Sequence, residues 1–195
     1  MNRGVYYRKK DHHIQTIADY TEAIRLNPNY GDAYNNRGVC YIRHDDTDYD
    51  RAIADFTEAI RCAPGDYLAY SNRGGLYNEK HEYDRALIDV NEALRINPQY
   101  GNAYSNRGFS HQGKCLYDLA MADFSEAIRL RPQLADPYYG RGICYQEHER
   151  DYARALSDYD MALSITGEFK LALKDRQNAE DRRQQALDAL NNSAQ

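Results

Sequence analysis

The strongest constraint on this chain is a repeat marked by glycines. Gly4, Gly38, Gly74, Gly108 and Gly142 are spaced by 34, 36, 34 and 34 residues, and each follows an arginine. Asn35-Asn36-Arg37-Gly38, Ser71-Asn72-Arg73-Gly74, Ser105-Asn106-Arg107-Gly108 and Tyr139-Gly140-Arg141-Gly142 are one element written four times, and Met1-Asn2-Arg3-Gly4 is a fifth copy starting in mid-element. A second block follows each glycine: IADYTEAIRLNP, IADFTEAIRCAP, LIDVNEALRINP, MADFSEAIRLRP and LSDYDMALSITG. Pro28, Pro64, Pro98 and Pro132 therefore share one phase. A period of this length implies stacked supersecondary units, none of which can bury its apolar face alone.

Within a unit the spacing is helical. Ala52, Ile53, Phe56, Ala59 and Ile60 recur at intervals of three and four, as do Ala33, Tyr34, Arg37, Gly38 and Tyr41 in the first block. The proline or, in the fifth copy, glycine after each second block stops that helix, and short polar turns such as Asp45-Asp46-Thr47-Asp48 join the two blocks. Each unit reads as two antiparallel helices of roughly 12–14 residues. The units are 1–30, 31–66, 67–100, 101–134 and 135–167, with 168–195 a capping helix and short tail that is apolar toward the fifth unit and polar outside.

Composition removes whole classes of function. Hydrophobic residues at 42% suffice for a core, and no run of apolar residues is long enough to span a bilayer. The N-terminus has no apolar stretch behind its charge, so no secretory signal is read there, and a cytoplasmic location is expected. A net charge of −5 without a Lys/Arg block argues against nucleic acid and membrane surfaces as partners. Four cysteines without a CxxC pair suggest neither a disulfide framework nor a zinc site. Asp46-x-Asp48-x-Asp50 resembles the start of a calcium loop, but Arg51 stands where glycine is needed and no glutamate closes it. His12, His44, His81 and His148 fall near the turns, too far apart along the stack to share a metal. No nucleophile–base spacing or phosphate-binding loop appears. The chain is expected to be neither an enzyme nor the holder of a cofactor.

A unit of 34 residues with Gly74, Tyr77, Ala86, Ala93 and Pro98 in these phases resembles the tetratricopeptide repeat, and the resemblance covers residues 1 to about 167. Departures are local: Thr16 in place of alanine, His111 in place of tyrosine, Gly167 in place of proline, two extra residues in the second unit's turn and one in the fifth's. The resemblance implies an all-α, right-handed superhelical solenoid of five helix-turn-helix units plus a C-terminal capping helix. It implies a protein–protein interaction scaffold, with the first helices of the units lining a concave groove.

On that architecture Asn36, Asn72 and Asn106 form a row broken at Gly140, able to pair with an extended peptide backbone through donor and acceptor together. Around the row lie Asn35, Val39, Ile42, Arg43, Ser71, Asn78, Ser105, Phe109, Gln112, Tyr139 and Ile143. The competing reading makes these ordinary polar helix residues held by neighbours. The two-carboxylate clamp of chaperone-binding members is matched here at its middle asparagine alone, so a heat-shock chaperone tail is not the expected ligand. A protein or peptide partner is expected. Self-association through the N-terminal edge, or service as the targeting domain of a larger enzyme, are the alternatives.

Arginine stands before each glycine where the family usually has leucine. Asp19, Asp55, Asp89, Asp123 and Asp158 recur in the second blocks, so either both rows reach solvent or they pair as a ladder. The ladder is favoured, with each aspartate pairing the arginine of the following unit: Asp89 with Arg107, and Asp158 with Arg176 of the cap. Arg3 is then left over, which suggests a frayed end or a fragment of a longer array.

Overall fold

The computed structural model describes residues 3–42, 48–165 and 173–193, with side chains over 14–42, 48–165 and 175–192. All of its regular structure is helical: α1 (Arg3–Leu26), α2 (Gly31–Ile42), α3 (Tyr49–Cys62), α4 (Tyr67–Glu79), α5 (Tyr83–Ile96), α6 (Gly101–Gly113), α7 (Tyr117–Leu130), α8 (Asp136–Cys144), α9 (Tyr152–Ser164) and α10 (Leu173–Ser193). Each helix packs on the next, and first helices also touch across units, α2 with α4, α4 with α6 and α6 with α8. The first helices therefore form the inner layer of a solenoid.

Helix ends follow local chemistry. α1, α3, α5 and α7 each stop two residues before the proline of their block, because the residue preceding a proline is pushed out of the helical region. Asp48, Asp66 and Asp151 cap α3, α4 and α9 by accepting from the backbone N–H groups of Arg51, Leu68 and Arg154 at 2.9–3.0 Å. Asp48 is thus a helix cap and Asp50 an ion-pair partner of Lys80, while Asp46 lies outside the described residues. The extra residue of the fifth unit is absorbed as a π turn over Tyr145–Glu149.

The first unit differs from its expected form. Arg3–Leu26 is one continuous helix of 24 residues rather than two helices and a turn. In later units the turn is made by a residue in the left-handed region, at His81, Cys115 and Arg150. The corresponding stretch, Lys9-Lys10-Asp11-His12-His13, continues as helix instead.

Between the two helices of a unit, one large side chain fills the space that a glycine leaves. A Cβ on Gly108 would come within 2.6 Å of the Phe124 ring, and one on Gly142 within 2.7 Å of Tyr159. Phe56, Val90, Phe124 and Tyr159 occupy this one phase and are fully buried, flanked by buried alanines such as Ala52, Ala86, Ala120 and Ala155. α10 closes the stack by burying Ala179 and Ala186 against the fifth unit.

Candidate functional site: the concave groove

The arginine before each glycine does find an aspartate, but in its own unit. Arg37 pairs with Asp55, Arg73 with Asp89, Arg107 with Asp123 and Arg141 with Asp158, each through two or more N–H···O contacts of 2.6–3.1 Å. The expected register, Asp89 with Arg107 and Asp158 with Arg176, is therefore wrong. A first helix lies against its own second helix so closely that the guanidinium reaches that carboxylate directly. Its remaining nitrogen points back one unit: Arg37 donates to Thr21, Arg73 to Thr57, Arg107 to Asn91 and Arg141 to Ser125, at 2.9–3.2 Å. Arg176 instead donates to the Leu163 carbonyl and pairs with Glu180. The side chain of Arg3 lies outside the described residues.

Tyrosines flank these rungs. Tyr34, Tyr77, Tyr104, Tyr138 and Tyr145 hold their rings 5.2–6.0 Å from the guanidinium of the neighbouring arginine. His111, the departure in the fourth unit, takes the tyrosine position and sits 2.9 Å from Asp123 instead. Asp–guanidinium hydrogen bonding raises the pKa of Arg37, Arg73 and Arg141 against the opposing effect of burial. These rungs are structural.

On the concave side, the asparagine row is largely engaged between units. Asn106 Nδ2 donates to the Ser71 carbonyl at 2.9 Å, Asn72 Nδ2 to Asn35 Oδ1 at 3.2 Å, and Asn78 Nδ2 to the Asn106 carbonyl at 2.7 Å. Gln112 Nε2 donates to the Gly140 carbonyl at 3.1 Å. Asn36 is exposed. Ser71 and Ser105 are buried, at 1% and 5% exposure, and stand inside helix contacts rather than on the groove wall. Arg43 lies outside the described residues.

Between the first helices a cavity of about 660 Å³ opens. Asn78, Asn106, Phe109, Gln112 and Tyr139, five of the residues expected at the site, come together in its wall. Tyr139 is mostly covered by α10, with 8% exposure. Ile143, also expected beside the row, joins them, while Gly75, Glu79, Tyr83, Asp136 and Asp175 complete most of the lining and do not belong to the expected set. Gly75 carries a legible signal: the other units have Val39, Phe109 and Ile143 at its phase, and the Asn106 amide stands 3.3 Å from where a Cβ would be. Asp136 faces water in the groove yet is surrounded by protein. Burial first, then the Asp175 and Glu79 carboxylates, push its pKa up to about 6.

Among the described residues no cluster of three or more His, Cys, Asp or Glu is arranged to hold a metal. His81 bonds to the Tyr83 hydroxyl and His148 stacks on Tyr117, while His44 and the side chain of His12 lie outside the described residues. No described helix is long and apolar enough to cross a membrane.

Residues 19–54 and 45–101 match two sequence profiles of the tetratricopeptide repeat. Comparison with curated proteins gives no match. Among solved structures, TTC0263, a thermophilic tetratricopeptide protein of Thermus thermophilus, superposes with a TM-score of 0.69 at 17% identity over 94% of this chain and 95% of that one. YrrB, described as having an unusual peptide-binding site, gives 0.60 at 20% identity over 89% and 86%. The first tetratricopeptide domain of Spaghetti (RPAP3), bound to the HSP90 peptide SRMEEVD, gives 0.55 at 23% identity over 60% and 90%. Residues 19–101 thus belong to the tetratricopeptide-repeat family, and the chain as a whole shares the helical stack of the tetratricopeptide proteins it superposes on.

Proposed function

We propose that this chain is a non-catalytic scaffold that holds an extended segment of a partner protein in the concave groove. The observation that carries the reading is the cavity between α4, α6 and α8, whose wall combines side-chain amides, aromatic edges and carboxylates around the bare backbone of Gly75. Such a mixture suits a peptide, which needs hydrogen-bonding partners for its main chain and apolar space for alternate side chains. First helices of successive units stand ~9–10 Å apart, and an extended chain advances ~3.3 Å per residue, so one rung serves about three ligand residues. That two structural relatives are described by the peptides or peptide-binding sites they carry supports the reading.

A steric plug tests it. Gly75→Phe places in the groove the side chain that the fourth unit carries at the same phase. Nine-residue peptides selected from a display library on the parent protein should bind the plugged variant at least tenfold more weakly. Equal binding to both, with helicity intact, contradicts the groove as the site.

A further inference from the structure

Among the described helices, one second helix lacks the first helix that should lie against it. α3, α5, α7 and α9 pack on α2, α4, α6 and α8 of their own units, whereas α1 packs on α2, the first helix of the next unit. The consequence shows at two neighbouring phases. Phe56, Val90, Phe124 and Tyr159 are fully buried, and so is the aspartate one residue before each, but Tyr20 is half-buried and Asp19 is exposed. Asp19 accepts from Gln15, one turn back on its own helix, at 2.8 Å, where Asp55, Asp89, Asp123 and Asp158 hold arginines.

The element that would cover this face is in the chain. Arg3-Gly4 repeats the Arg-Gly step of the other first helices, and Arg3 stands 16 residues before Asp19, the separation of Arg73 from Asp89 and of Arg107 from Asp123. Those two units close their hairpins at His81 and Cys115, both in the left-handed region, and the same phase of the first unit is Asp11. Because Arg3–Leu26 is one helix, Arg3 instead lies about 24 Å along the axis from Asp19 and cannot meet it. A second copy can supply what is out of reach. Arg3 and Asp19 are equally far from Asp11 in sequence, so two such helices laid antiparallel about a twofold axis at Asp11 satisfy both carboxylates at once.

We propose that two copies of this chain exchange their N-terminal segments. Residues 3–10 of each copy lie as the absent first helix on α1 of the other, Arg3 against the partner's Asp19 and Gly4 against the partner's Tyr20. These are the contacts that Arg73 makes with Asp89, and Gly74 with Val90, inside one unit. Exchange of an identical element therefore needs no kind of contact that the fold does not already use. It is independent of what the concave groove holds.

Analytical ultracentrifugation of the full chain reads the mass, and circular dichroism checks that each variant keeps its helix. The expected result is a dimer in reversible equilibrium with monomer. Asp19→Arg sets like charges against each other at both rungs and should raise the dissociation constant at least tenfold, and adding Arg3→Asp should restore it. Asp11→Gly eases the left-handed turn that His81 and Cys115 make, lets each copy close its own hairpin, and should yield monomer. A chain that stays monomeric up to millimolar concentration, or an assembly larger than two, overturns the proposal. So does a dimer that Asp19→Arg leaves intact, that the second change fails to restore, or that Asp11→Gly does not dissociate.

Discussion

Arg73 and Asp89 meet across the two helices of one unit, Nε to Oδ2 at 2.7 Å and Nη2 to Oδ1 at 2.8 Å, while Nη1 of the same guanidinium reaches Thr57 of the preceding unit at 2.9 Å. One arginine thus ties its own helix pair together and fastens that pair to its neighbour. With side-chain exposures of 17% and 4%, the pair is screened far less than a surface bridge. Arg73→Leu leaves the carboxylate buried and unpaired, and should cost about 3–5 kcal/mol. Replacing both members with apolar residues should recover much of the loss. A double-mutant cycle on chemical denaturation should give coupling for Arg73 with Asp89 and none for Asp89 with Arg107.

The left-handed turn at Arg150 offers a gain. Its φ is 56°, a region that costs a side-chain-bearing residue about 1–2 kcal/mol. Arg150→Gly relieves that strain at some cost in chain entropy, and should raise stability by about 0.5–1 kcal/mol. Differential scanning calorimetry should show a higher Tm.

Gly108 runs the other way. The Phe124 ring stands 2.6 Å from where a Cβ would be, and it is fully buried between helices. Gly108→Ala should cost about 1–3 kcal/mol through overpacking. An alanine tolerated without loss, measured by denaturant unfolding, would mean the helices separate more easily than their packing implies.

Asp136 makes stability depend on pH. Its pKa in the folded protein, about 6, lies above the ordinary carboxylate value of 3.8. The folded state therefore binds the proton more tightly than the unfolded one. The contribution is complete below pH 3.8 and is lost as pH rises through about 6. Asp136→Asn should raise Tm at pH 7.5 while changing it little at pH 4.

Much of this molecule is legible in its sequence, for a physical reason. A solenoid repeats its contacts, so glycine, alanine, proline and the Arg–Asp rows recur in phase, and five copies expose the pattern that one would hide. The pairing partner of each arginine is not legible. Sequence phase puts Asp89 between Arg73 and Arg107, and helix separation alone decides between them. The asparagine row is half legible. The phase is clear, yet Asn106 and Asn72 spend their amides on the neighbouring unit, so Asn106→Ala should itself cost about 1 kcal/mol of stability. The three groove carboxylates come from unrelated phases of α4, α8 and α10, and no repeat pattern links them.

If a partner segment lies in the concave groove, its footprint can be read residue by residue. Amide chemical-shift mapping of the isotope-labelled chain, titrated with a selected peptide, does this. The largest shifts should fall at Gly75, Asn78, Asn106, Phe109 and Gln112, with the outer faces of α3, α5 and α7 unmoved. Shifts clustered on those outer helices, with the groove silent, would contradict binding in the groove.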